Sequence, residues 1–183
     1  MSAAFDAMLF AREVHKAQRR KYTGNPYSDH LAEVAGIVAA VSVHDPFREA
    51  MVATAWLHDC REDQGVTGAE IEDRFGMRIA VGVSLLSDFE TGNRAERKAA
   101  SRARLATAPD WVQTIKCADL ISNTASIVQH DPKFAAVYLD EKRMLLAVLT
   151  KADPRLLAMA KAQAQAPATP SGTHVSVWSV RSH

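Results

Sequence analysis

Apolar residues along this chain return at three- and four-residue intervals, the period of a helix with one buried face. Leu31, Val34, Ala35 and Val38 make one such face, and Ser28 or Asp29 just ahead of it is placed to cap the helix. Residues 3–20 read as a first helix. Asp45-Pro46 joins a capping carboxylate to a proline at the first helical position, and the apolar run Met51-Val-Ala-Thr-Ala-Trp-Leu57 then predicts a buried helix that ends at His58-Asp59. Thr67-Gly-Ala-Glu70 has the form of a capping box, Gly76 stops that short helix, and Cys60–Val66 reads as the loop before it. Further helices are expected over 77–88, 95–106, 110–130, 132–151 and 154–165, with Asp131-Pro132 and Asp153-Pro154 repeating the cap-proline signal. No convincing pair of strands appears, so the fold class is all-α.

From Ala166 the composition turns to Pro, Thr, Ser and Gly. The expected organisation is one domain over 1–165 and a flexible C-terminal tail over 166–183. A chain of 183 residues is long enough for a substantial core in one domain. Its formal charge of +1 disfavours a broad nucleic-acid-binding face, though local basic clusters can still hold a small anion. The N-terminus lacks a basic stretch before its apolar residues, so no signal peptide is expected, and no apolar segment is long enough for a membrane span. The expected setting is cytoplasmic. The two cysteines, Cys60 and Cys117, are then read as small buried hydrophobes rather than a disulfide.

The chemistry concentrates in four residues: His30, the adjacent His58-Asp59, and Asp119. Two imidazoles and two carboxylates suit a divalent ion of intermediate hardness such as Mn²⁺ or Fe²⁺. Alone, a histidine such as His30 is more often a surface or hydrogen-bonded core residue, and an HD dipeptide is nearly uninformative. The context changes that. His58-Asp59 closes an apolar helix, and Asp119 interrupts Ile115-Lys-Cys-Ala-Asp-Leu-Ile121, where a carboxylate costs several kcal/mol to desolvate unless it is paired or bound to metal.

Four segments then occur in order: Arg19-Arg-Lys-Tyr-Thr-Gly-Asn-Pro-Tyr-Ser-Asp-His30, Trp56-Leu-His-Asp-Cys-Arg-Glu-Asp63, Glu96-Arg-Lys98 and Lys116-Cys-Ala-Asp-Leu-Ile-Ser-Asn123. Together they resemble the HD-type hydrolase domain of Rel/SpoT proteins, especially the stand-alone small alarmone hydrolases that include the metazoan SpoT homologue. The resemblance covers about residues 3–160. It implies a compact helical bundle with a Mn²⁺ ion between helices, and hydrolysis of the 3′-pyrophosphate from nucleotides such as (p)ppGpp. It makes His30, His58, Asp59 and Asp119 the metal ligands and Glu62-Asp63 the acidic pair that activates water. It places Arg20 and Lys21 at the nucleotide, with the arginine able to stack on the base, Lys98 at a phosphate, and Asn123 and Ser126 near ribose or phosphate. Tyr138 matches a late pocket tyrosine. Without the neighbouring ligands, Glu62-Asp63 would read as a solvated loop and Arg19-Arg-Lys21 as an exposed basic helix end. His15, His44 and His130 match no ligand position and are left as structural or surface residues.

The chain also departs from the family. It has Cys60-Arg61 before the acidic pair, where relatives often carry threonine or valine between the acidic positions. Asn123-Thr-Ala-Ser126 lacks the arginine common there, and the loop before His30 is about one residue shorter than in the metazoan homologue. These changes leave the metal chemistry intact and keep an adenine alarmone, (p)ppApp, open beside the guanine form. The expected partner is a small nucleotide, not a nucleic-acid polymer or a membrane. Two rival readings remain: an HD-type nucleotide phosphatase or phosphodiesterase using the same ligand set, and a non-catalytic nucleotide-binding module.

Overall fold

The computed structural model describes residues 2–165 as ten helices: α1 Ala3–Val14, α2 Tyr27–Val41, α3 Arg48–Leu57, α4 Cys60–Gln64, α5 Gly68–Phe75, α6 Met77–Leu86, α7 Arg94–Thr107, α8 Asp110–His130, α9 Pro132–Leu146 and α10 Pro154–Gln165. The expected all-α class is observed, with no strand among the described residues and a single antiparallel bridge between Arg19 and Pro26. The expected tail over 166–183 lies outside the described residues.

Capping chemistry explains several starts. The Thr67 side chain accepts from Glu70 N and opens α5, and Asp131 accepts from Phe134 N beside a proline in the first turn of α9. A reciprocal capping box forms at Asn93 and Glu96, ahead of α7.

Other expectations need correction. The first helix ends at Val14 rather than near residue 20, because 19–26 turns back through the Arg19–Pro26 bridge. Neither Ser28 nor Asp29 caps α2: Pro26 precedes the helix and both lie within its first turn. Asp45 accepts from Phe47 N in a turn, and α3 begins only at Arg48. Residues 60–64 form the short helix α4 rather than a loop, stopped by Gly65 at φ 68°, a left-handed conformation that glycine adopts without steric cost. The helix expected over 132–151 ends at Leu146.

Two apolar clusters meet around α3. One joins Ala7, Ala11, Leu31, Leu57, Ile71 and Val83 from the N-terminal half. The other joins Val38, Leu105, Ile115, Ile121, Leu146 and Leu156 around α8. Helix α3 packs against α1 and α2, while α8 packs against α2 and α10. Gly82 permits a close approach, since the Trp111 ring and the Thr54 methyl occupy the space a Cβ would need. This packing fixes α2, the α3–α4 junction and α8 side by side, and each carries part of the candidate site.

Candidate metal centre

His30 lies in the first turn of α2, His58 is the residue that ends α3, Asp59 precedes α4, and Asp119 sits midway along α8. His30, His58 and Asp119 are buried, and one potential ligand atom from each falls within 4.8 Å of the others. His30 Nε2 stands 3.4 Å from Asp119 Oδ1 and 3.6 Å from Asp59 Oδ2. His58 Nε2 stands 3.0 Å from Asp59 Oδ2 and 3.8 Å from Asp119 Oδ1. Four residues separated by up to 89 positions therefore converge.

Hydrogen bonding on the far side of each ring selects the tautomer. His58 Nδ1 lies 2.8 Å from the carbonyl of Ala55, which only accepts, so Nδ1 carries the proton. His30 Nδ1 lies 2.8 Å from Ser122 Oγ, which spends its own proton on Glu33 Oε2 at 2.7 Å, so Nδ1 donates there as well. Each Nε2 is then the basic nitrogen of its ring, turned to the carboxylates, buried and without a hydrogen-bond partner. Two orphaned imidazole nitrogens facing two carboxylates make a nitrogen–oxygen donor set that fits a divalent cation.

Electrostatics agree. Burial opposes charge on His58, yet Asp59 and Asp119 raise its pKa well above the ordinary range, and His30 is raised in the same way. Burial also opposes ionisation of Asp119, but Lys116 and the two histidines hold it well below the usual carboxylate range. Asp59 is likewise lowered against its burial, by His58 and His30. The carboxylates are thus anionic, and their field draws positive charge to this spot. Cys60 and Cys117 are free and buried, with both thiols pushed up by burial, Cys117 to about 12, so neither supplies a thiolate.

A pocket of about 250 Å³ opens beside the cluster, and Asp59, Glu62, Asp63, Lys98, Asp119, Asn123 and Tyr138 all line it. Glu62 Oε2 accepts from Asp88 N at 2.9 Å. Protein atoms packed around that carboxyl raise its pKa against the Asp88 N–H, with Asp59 and Asp88 adding negative charge nearby. Lys98 reaches Asp88 at 3.1 Å, and Asn123 donates to Asp119 Oδ1 at 2.6 Å. Arg20, Lys21 and Ser126 are not wall residues. Arg20 reaches the wall through Asn123 Oδ1 at 3.1 Å, whereas Lys21 packs over the ring of Tyr22, 4.9 Å from its centroid.

Several residues at the site went unread in the sequence. Tyr27 donates to Asp59 Oδ2 at 2.6 Å, Lys116 to Asp119 Oδ2 at 2.8 Å, and Ser122 and Glu33 orient His30. A signal was present, since Tyr27, Glu33, Lys116 and Ser122 each stand three residues from a ligand candidate on its own helix. Arg94, Arg102 and Glu141 also line the pocket, and Arg94 grips Glu141 through two bonds of 2.6 and 2.8 Å. No local pattern announces those three.

A family profile described as "HD domain" matches residues 7–164. A Synechocystis protein named as a probable guanosine-3′,5′-bis(diphosphate) 3′-pyrophosphohydrolase is 35% identical over 133 residues, 69% of this chain and 17% of that protein. An Aquifex aeolicus protein named as a guanosine-3′,5′-bis(diphosphate) 3′-pyrophosphohydrolase is 33% identical over 144 residues, 77% of this chain and 19% of its own length. The chain thus spans under a fifth of these relatives. The solved structure of a metazoan orthologue of SpoT, described as hydrolysing ppGpp, superposes with a TM-score of 0.80 over 89% of this chain and 94% of that one, at 21% identity. A Listeria monocytogenes crystal structure superposes with a TM-score of 0.61 over 78% of this chain and 96% of its own, at 24% identity. Both likenesses are likenesses of fold.

Proposed function

The chain belongs to the HD domain family, and from that premise we propose that it hydrolyses the 3′-pyrophosphate of alarmone nucleotides, (p)ppGpp with (p)ppApp as its adenine counterpart. The observation that carries this reading is the junction of two chemistries in one pocket. Its wall holds the anionic side of the His30–His58–Asp59–Asp119 cluster together with Glu62 and Asp63, and also the cations Arg94, Lys98, Arg102 and Lys116. A plain cation site needs no such basic wall, and a plain phosphate site needs no buried imidazole pair. Relatives named as 3′-pyrophosphohydrolases over the matched region support the substrate class.

The four cluster residues would hold Mn²⁺, whose preference for nitrogen and oxygen donors they meet. When bound, such an ion supplies Lewis acidity and lowers the pKa of water. Glu62, with its raised proton affinity, is suited to take a proton from the attacking water, and Asp63 beside it to orient that water. Lys98 and Lys116 offset charge on the 3′-pyrophosphate as the water oxygen joins its ribose-linked phosphorus and the bond from that phosphorus to the 3′-oxygen breaks, a proton ending on that oxygen. Their present partners are Asp88 and Asp119, so the wall is neutralised internally until an anion enters. Arg20 stands next to Asn123 at the edge of the pocket, where a guanidinium plane can lie on a purine. No helix among the described residues is long and apolar enough to cross a membrane; a nucleotide substrate and two free thiols support a cytoplasmic setting.

The test is product analysis. Mn²⁺-loaded protein is incubated with matched guanine and adenine alarmones and with ordinary nucleotides, and the products are separated by ion exchange. Pyrophosphate plus the 5′-di- or triphosphate is the expected result. Orthophosphate would mark a phosphatase instead, and no product with any substrate would leave a binding module.

A further inference from the structure

Asp63 sits on the five-residue helix α4, where a lone carboxylate would turn freely between solvent and pocket. It does not stand alone. Gln18 Nε2 donates to Asp63 Oδ2 at 2.7 Å, and among the described residues Asp63 Oδ1 has no side-chain partner, which leaves it for the pocket. We infer that Gln18, itself fixed by His15, is a positioning residue for Asp63.

The logic of donors and acceptors sets every member of this chain. An ionised carboxylate only accepts, so Gln18 must face Asp63 with its nitrogen and turn its oxygen the other way. That oxygen meets His15 Nδ1 at 2.6 Å and Gln64 Nε2 at 2.5 Å. His15 Nδ1 therefore carries the proton, and His15 Nε2 is a bare lone pair. That second nitrogen is buried without any partner, a loss that a phenylalanine ring in the same space would avoid. The histidine is explained by what its other nitrogen does. Its ring is also held flat against Tyr27, with centroids 5.1 Å apart and planes within 18°, and Tyr27 in turn donates to Asp59. Backbone bonds pin Gln18 on both sides, its N–H to His15 O at 2.9 Å and its carbonyl to Tyr27 N at 3.1 Å. The connection after α1 and the first residue of α2 thus aim both Asp63 and Asp59.

This inference rests on the hydrolysis proposed above, so its test keeps the two apart. Steady-state kinetics on ppGpp are measured for Mn²⁺-loaded wild type, Gln18→Leu, His15→Phe and His15→Asn, the last retaining an N–H donor near the position of Nδ1. Gln18→Leu and His15→Phe should lower kcat about tenfold, the scale of a misoriented catalytic group, with KM and bound metal within about twofold of wild type. His15→Asn should recover most of the loss. On an Asp63→Asn background, Gln18→Leu should cost nothing more, because its effect runs through Asp63. An unchanged kcat in Gln18→Leu, or an equal loss on both backgrounds, overturns the positioning role. Gln18 is only half-buried, so its variant carries the kinetic test if His15→Phe fails to fold. A wild type inert toward ppGpp defeats the hydrolase reading by itself. The contact is then read directly from the Gln18 side-chain amide resonances, which should move in Asp63→Asn and would refute the relay by staying in place.

Discussion

The Tyr27 hydroxyl donates a 2.6 Å hydrogen bond to Asp59 Oδ2, the oxygen that stands 3.0 Å from His58 Nε2 and 3.6 Å from His30 Nε2. A tyrosine one turn ahead of His30 thereby decides where the carboxylate of a different helix junction points. Burial and the adjacent Asp59 charge both raise the tyrosine's pKa, so it remains a donor at any working pH. Tyr27→Phe should keep the fold and weaken metal binding roughly tenfold or more, as losses of outer hydrogen bonds to ligands do. Chelator-competition titration measures this, and wild-type affinity in the variant would remove Asp59 orientation from the account.

Glu62 and Asp63 line the pocket beside Asp59 and Asp119. Glu62→Gln or Asp63→Asn should lower kcat roughly 10²-fold while metal content stays near that of wild type, the pattern of a lost acid/base group. Loss of metal from both variants would make these residues ligands or supports instead.

The Arg20 guanidinium donates to Asn123 Oδ1 at 3.1 Å, beside the pocket. Arg20→Ala should therefore raise KM for guanine and adenine alarmones by similar factors, because a guanidinium stacks on either purine. Reversal of the guanine/adenine preference in steady-state kinetics would instead show that Arg20 reads the base edge.

Lys142 is buried with its ammonium on Thr124 Oγ1 at 2.6 Å, Gln163 Oε1 at 2.9 Å and the Leu120 carbonyl at 3.4 Å, all neutral acceptors. Burial lowers its pKa from 10.5 to about 8, with Cys117 and Asp119 opposing the shift. Between those two values the unfolded chain binds a proton that the folded chain has released, so this group adds stability as pH rises through that window. Lys142→Met should take the rise away. Subtracting urea-unfolding free energies of the variant from those of wild type isolates it from the buried thiols, and a difference that stays flat from pH 8 to 10.5 would count against it.

Gly82 faces the Trp111 ring and the Thr54 methyl with no space for a Cβ. Gly82→Ala should cost about 1–3 kcal/mol by overpacking, despite alanine's better helix propensity. Thermal unfolding should then fall by about 2–4 °C for each kcal/mol, and a higher Tm would show that the ring moves aside freely.

The sequence by itself determined the all-helical class, because helical periodicity and cap signals such as Thr67 and Asp131-Pro132 are local chemistry. It also determined the metal candidates, since an apolar helix ending at His58-Asp59 and an apolar helical run that carries Asp119 leave charged groups needing a partner. Local signals failed where local chemistry is ambiguous: Ser28 and Asp29 could cap or simply begin α2, and Cys60–Gln64 could coil or turn once. Only the tertiary structure decided how those groups are aimed. The lone pairs on His30 and His58 depend on Ser122, Glu33 and Ala55, and Asp63 depends on Gln18, 45 residues away. Lys21 and Ser126, placed at the nucleotide by resemblance, fall outside the pocket wall, while Arg94, Arg102 and Glu141 enter it. Helical spacing tells which residues share a face within one element. Which faces then meet is set by packing around α3 and α8, through contacts that have no period in the chain.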